Sequence, residues 1–277
     1  MSMTWQSDDI PPPEKWGALG WALVGLRGGG LILLILPCFL LLMIIRLFEA
    51  PLFGIRRPVT PHITCFVCRN ALRIIGLGLR VEGSPMTQDG AVVANHSSWL
   101  DIFALNASKR IYFVSKSEVA GWIGIGHLAR GVGTVFITRD PKEAKTQTVL
   151  FEERLLAGHK LLFFPEGTST DGLRVLPFRS TLFAAFFAPA LKDRISVQPV
   201  SVSYRTPADV DPRRYGWWGG MGFGPHLMET LARLKQGQIK VVYHPPLRVA
   251  DYENRKALAA ASEAIVRAGH KRGTNPQ

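Results

Sequence analysis

Gly28 to Ile45 reads Gly-Gly-Gly-Leu-Ile-Leu-Leu-Ile-Leu-Pro-Cys-Phe-Leu-Leu-Leu-Met-Ile-Ile without a charged residue. A water-soluble fold has no place to leave such a run uncovered. As a helix its 18 residues rise about 27 Å, close to the roughly 30 Å hydrocarbon core of a bilayer. Pro37 interrupts its middle, so the run predicts either a single span or a kinked helix seated in one leaflet. Asp8, Asp9 and Glu14 precede it and no small-residue cleavage site follows before Arg46, so it is expected to be retained rather than removed as a secretory signal. Arg46, Arg56, Arg57, Arg69, Arg73 and Arg80 follow the run, against Lys15 and Arg27 before it, which predicts that the downstream chain faces the cytoplasm.

The remaining length suits one catalytic-sized domain with a core large enough to need no staples. The expected division is an N-terminal arm over 1–15, disordered or extended at Ile10-Pro11-Pro12-Pro13, membrane-anchoring helices over 16–78, a catalytic domain over 79–270 and a short tail over 271–277. A formal charge of +12 points to a polyanionic partner, and the apolar run selects membrane lipids over nucleic acid. Three cysteines, odd in number and set in apolar sequence, fit a reducing compartment. His62, Cys65 and Cys68 lack a fourth ligand, so no metal is expected there.

Beyond residue 78, short apolar strands alternate with helical patterns, which predicts an α/β fold with a mixed sheet flanked by helices. Strands are expected at 79–82, 90–94, 111–114, 134–137, 160–164, 196–204 and 238–243. Asp140-Pro141-Lys142-Glu143 reads as a helix start that Gly158 closes, and further helices are expected at 16–52, 61–76, 181–191 and 253–268.

The chemistry concentrates after the second strand, where Asn95-His96-Ser97-Ser98-Trp99-Leu100-Asp101 sets an imidazole and a carboxylate five positions apart. An imidazole can take a proton from a hydroxyl at neutral pH, and a carboxylate on its other nitrogen fixes the tautomer and stabilises the imidazolium. On a regular helix the two side chains would diverge by about 140°, so the loop must fold back, with Ser97 or Ser98 capping the next helix. Downstream, in order, come Gly133-Thr134-Val135-Phe136-Ile137-Thr138-Arg139, Phe164-Pro165-Glu166-Gly167-Thr168, and Val197-Gln198-Pro199-Val200. The second of these follows a strand, where α/β sheets place ligands, and its Gly167 permits positive φ. The last reads as a buried strand with an edge proline. Trp122, Trp217 and Trp218 suit either an interfacial belt or a core. No nucleophile elbow, zinc-protease pair or phosphate loop is present in the sequence.

These four ordered blocks resemble the lysophospholipid acyltransferase family, over roughly residues 79–204. The resemblance implies a membrane-bound O-acyltransferase of lipid biosynthesis, with His96 as base and Asp101 as its orienter. Arg139, Glu166, Gly167, Thr168 and Ser169 are then the acceptor-binding residues. The family's commonest pattern has arginine after Glu-Gly-Thr, whereas Ser169 stands here, so the charge that meets a phosphate is missing unless Arg174 or Arg179 restores it. Thr168-Ser169-Thr170-Asp171-Gly172 followed by Leu-Pro-Phe looks more like the branch that acylates lyso-ornithine lipid, with 1-acylglycerol-3-phosphate as the other acceptor. The implied donor is an acyl carrier protein thioester or acyl-CoA, as a co-substrate, with no bound cofactor and no metal. The implied location is a bacterial inner membrane. Against this stands a non-catalytic lipid-binding protein of the same fold, which an intact His96 and Asp101 disfavour.

Overall fold

The computed structural model describes residues 5–7, 10–12, 14–138 and 143–274. Two helices come first, α1 (Ala18–Phe53) and α2 (Thr60–Ile75). There follow β1 (Gly78–Glu82), β2 (Gly90–Ala94), α3 (Leu100–Ser108), β3 (Tyr112–Lys116), α4 (Ile125–Gly131) and β4 (Val135–Ile137). The chain continues through α5 (Ala144–Leu156), β5 (Leu161–Phe163), β6 (Ser196–Arg205), α6 (Phe223–Ala232), β7 (Gln238–Tyr243), β8 (Leu247–Arg248) and α7 (Arg255–Thr274).

The strands form one sheet in the order β1-β7-β6-β2-β5-β3-β4, with β8 also on β6. From β6 to β4 all neighbours are parallel, while β7 and β8 run antiparallel to β6. Strand β2 lies at the centre, every residue buried, as a parallel strand covered on both faces requires. Its alternation divides the core: Val92 and Ala94 pack with Leu72, Leu100 and Leu105 on one face. Ala91 and Val93 pack with Phe151, Phe183 and Leu258 on the other.

Seven strands fall where their apolar runs predict them, and β8, two residues long, carries no pattern that could announce it. Two expectations are corrected. Residues 181–191 form no α-helix: Leu182–Phe187 is a 3-10 turn. Pro189 pushes Ala188 into extended backbone and stops the helix, while Phe183 and Phe186, three apart, both go into the core. Pro199 is not on an edge, because β6 pairs with β2 on one side and with β7 and β8 on the other. It falls between the β8 ladder, which ends at Val197, and the β7 ladder, which starts at Val200, so its missing N–H interrupts neither. The start of the helix at Asp140-Pro141-Lys142 lies outside the described residues. Its end matches, with Gly158 in the left-handed region at φ 83°.

Helix α1 is long and apolar enough to cross a membrane by length and composition, with a mean hydropathy of 2.9 in its most apolar window. Leu26, Leu33, Leu40, Leu47 and Leu52 are exposed along it. Its other side packs on the domain: Gly28 faces Leu231 of α6, Gly30 faces Ile74 of α2, and Phe39 and Met43 crowd Gly131 of α4.

Candidate active site

His96 leaves the C-terminal end of β2, where Asn95 pins the strand exit to β6 by accepting from Val202 N–H and donating to its carbonyl, both at 2.8 Å. The imidazole lies flat on the Phe164 ring, centroids 4.0 Å apart. Its Nδ1 is 2.8 Å from Asp101 Oδ2. Among the described residues Nε2 has no hydrogen-bond partner, and the side chain is 19% exposed, so this nitrogen is open to a substrate.

The fold-back of the loop is made by Asp101 itself. Its Oδ2 also accepts from the N–H groups of Ser97 and Ser98, at 2.8 and 3.0 Å. The expected serine cap is thereby corrected. Ser98 Oγ is a distant 3.4 Å from Leu100 N, and Ser97 Oγ is buried without a partner. The other carboxylate oxygen accepts from the Tyr204 hydroxyl at the far end of β6. Burial, together with the Asp101 charge, pushes this hydroxyl well above its ordinary value, so it remains a donor. Four donors converging on a fully buried carboxylate hold it for the imidazole, which is then oriented to accept a proton at Nε2 and to carry the positive charge that results.

Glu166 sits beneath the same loop, 2% exposed. Its Oε1 accepts from His96 N–H at 2.7 Å and its Oε2 from Leu176 N–H at 2.6 Å. Burial pushes the carboxyl up to about 8, against the downward pull of these two donors. The Glu166 side chain thus ties its own loop to the loop of the histidine, and further bonds complete the tie. Thr170 N–H donates to the His96 carbonyl and Trp217 N–H to the Ser97 carbonyl. Gly167 has φ 72°, a conformation that a side chain would strain.

The other residues expected to meet the acceptor are spread more widely. Thr168 and Ser169 are buried, and Thr168 Oγ1 accepts from Trp5 N–H at 3.2 Å. Arg139 lies outside the described residues. Of the two arginines that could stand in for the missing charge, Arg174 is bound to Asp171 by two parallel bonds, 3.1 and 2.8 Å, and lies over the Trp5 ring. Arg179 is exposed, without an ion-pair partner among the described residues, its side chain lying over Gly167. Trp218 belongs to the core and Trp122 is exposed, with Trp217 between them at 6.1 Å from the Trp122 ring. Tyr204 and Asn95 had no sequence signal beyond their place at strand ends.

The family model described as acyltransferase matches residues 79–203. A lyso-ornithine lipid O-acyltransferase of Rhodobacter capsulatus is 54% identical over 265 residues, 96% of each chain. The chain belongs to the acyltransferase family. A 1-acyl-sn-glycerol-3-phosphate acyltransferase of Neisseria gonorrhoeae is 32% identical to this acyltransferase, over 72% of this chain and 77% of the relative. The solved structure of the 1-acyl-sn-glycerophosphate acyltransferase of Thermotoga maritima shares the fold, with a TM-score of 0.60 at 19% identity, over 91% of this chain and 99% of that one.

Proposed function

We propose that this acyltransferase moves a fatty acyl chain from an acyl thioester to the free hydroxyl of lyso-ornithine lipid, giving ornithine lipid. The observation that carries the reaction is the His96–Asp101 pair with Nε2 open to substrate. Nε2 takes the proton of the acceptor hydroxyl as its oxygen attacks the thioester carbonyl. The tetrahedral adduct then collapses, breaking the carbon–sulfur bond, and the departing thiolate receives the proton back from the imidazolium. An acyl carrier protein thioester suits as donor, because an acidic carrier complements a chain of charge +12.

The acceptor rests on the relative from Rhodobacter capsulatus and on the arginines. An ornithine headgroup offers a carboxylate and an ammonium. Arg174 is already neutralised by Asp171, which leaves Arg179 as the cation beside Gly167 for the carboxylate. The relative from Neisseria gonorrhoeae makes 1-acylglycerol-3-phosphate the second reading, since Arg179 could equally meet a phosphate. Helix α1 packs on the domain from Gly28 to Met43. A helix crossing the bilayer would carry that domain surface into hydrocarbon, so we read it as lying in one leaflet, on the cytoplasmic side of the inner membrane.

The test incubates membranes carrying the protein with labelled acyl carrier protein thioester and either lysolipid, with His96→Ala as blank. A His96-dependent ornithine lipid product is expected. Phosphatidic acid alone would replace the acceptor, and neither product would sink the reading.

A further inference from the structure

Arg57 and Arg154 stand side by side on the edge of the sheet away from His96. Tyr112 opens β3 and Leu161 opens β5, so this is the N-terminal edge of the parallel strands, whereas His96 follows the C-terminal end of β2. Arg57, in the link between α1 and α2, donates to the Gly131 carbonyl at 3.1 Å, and Arg154 of α5 donates to the Gly133 carbonyl at 2.8 Å. Both guanidinium groups lie over the ring of Tyr112, at 6.0 and 4.8 Å from its centre. His159 stacks on the same ring at 4.3 Å.

The cluster has no ion-paired counter-charge among the described residues. Among the described residues neither arginine forms an ion pair, and Nε of each is buried without a partner. His159 is 5% exposed, and among the described residues neither of its ring nitrogens has a well-aligned hydrogen-bond partner, although the Ile55 backbone acts on the ring. Glu49 acts on Arg57 from nearby, but its oxygens are taken by Val59 N–H, Thr60 and Arg46. Burial and the neighbouring Arg57 lower Arg154 to about 10, and burial lowers His159 to about 4, leaving it a neutral ring that can donate one hydrogen bond. Two half-buried guanidinium forks with no carboxylate between them repel each other until an anion joins them. Their fork geometry suits the oxygens of a phosphate.

The surroundings name the source. Leu47, Phe48, Leu52, Phe53 and Ile55 are all exposed immediately before Arg56 and Arg57. Apolar side chains that give way to arginines mark the depth at which bilayer hydrocarbon meets headgroup phosphates. We propose that Arg57, Arg154 and His159 form a phosphate-binding site for the phosphodiester of a bilayer phospholipid, separate from the site of acyl transfer. The bound lipid fixes the link between α1 and α2 against β3 and α5. This inference does not depend on which acceptor the enzyme uses.

The test uses the full chain in dodecyl maltoside micelles and follows its thermal midpoint against dihexanoyl phosphatidylglycerol, glycerophosphoglycerol, inorganic phosphate and dihexanoylglycerol. The phospholipid is expected to raise the midpoint, the phosphate-free lipid to leave it, and the two soluble phosphates to act only at far higher concentration. In Arg57→Gln/Arg154→Gln the apparent affinity for the phospholipid falls by about 10-fold or more. Retained His96-dependent turnover reports that this variant is folded. If the double variant does not fold, Arg154→Lys keeps the charge, loses the fork and must still weaken binding. An equal response of variant and native protein overturns the site, and a response to inorganic phosphate as strong as to the lipid overturns the lipid as its occupant.

Discussion

Asp101 and Glu166 are both buried acidic side chains that accept hydrogen bonds from His96, but one takes the ring and the other takes the backbone. Asp101 gathers the imidazole, two loop N–H groups and the Tyr204 hydroxyl, so its charge is aimed at the nitrogen opposite the reacting one. Glu166 spends both oxygens on N–H groups of two different loops, and so sets where His96 stands rather than what its ring does. Nearness to the base therefore does not define a role; the atoms engaged do.

The largest effect that would test this contrast comes from Asp101→Asn. An amide can still accept from Ser97 and Ser98 but leaves the imidazolium without its counter-charge. Turnover should fall about 10³–10⁴-fold with the circular dichroism spectrum unchanged. Full turnover in a folded variant would break the comparison at its first member. Glu166→Ala should behave in the opposite manner. It orphans the N–H groups of His96 and Leu176, each costing about 1–3 kcal/mol, so the thermal midpoint drops by several degrees and turnover falls less than in Asp101→Asn. A loss of turnover as deep as that of Asp101→Asn, at an unchanged midpoint, would make Glu166 a group that touches the reaction.

Tyr204→Phe removes one donor from Asp101 without touching the ring. A loss of roughly 10-fold in turnover is expected, corresponding to about 1.4 kcal/mol of transition-state stabilisation; no loss would show that the loop N–H groups suffice. The last comparison concerns pH and is read in stability rather than in turnover. The folded Glu166 carboxyl is raised to about 8 from an ordinary value of 4.5. Between these values the unfolded chain gives up its proton before the folded one does, so stability is lost as pH rises across this window and levels off above it. Midpoints measured from pH 5 to 9 should show this decline in the native protein and a flatter profile in Glu166→Ala. Parallel profiles would remove Glu166 as its source.

The strands were legible because each is an apolar run bounded by turn residues, and β2 even matches at both ends. The His96–Asp101 pair was legible as a spacing, and the resemblance over the four blocks pointed to its chemistry. Its geometry was not, since the serines expected to cap α3 give their backbone N–H groups to Asp101 instead. Phe183 and Phe186 carry helical spacing, yet Pro189 and the core bend them into a tighter turn. Pro199 read as an edge residue because a sequence does not reveal that two partner strands meet end to end beside it.

By itself the sequence determined that this chain carries an apolar segment needing cover, that its strands alternate with helices, and that one histidine has a carboxylate within reach. These are properties of neighbouring residues, set by periodicity and by the chemistry of side chains a few positions apart. Only the tertiary structure decided that Tyr204 completes Asp101, that Glu166 ties two loops together, that Arg174 is spent on Asp171 while Arg179 has no ion-pair partner among the described residues, and that Arg57 and Arg154 both come to the ring of Tyr112. Except for Arg174 with its near neighbour, these depend on contacts between distant parts of the chain. Such contacts exist once the strand order of the sheet has closed the long loops between them, and no local pattern records that order.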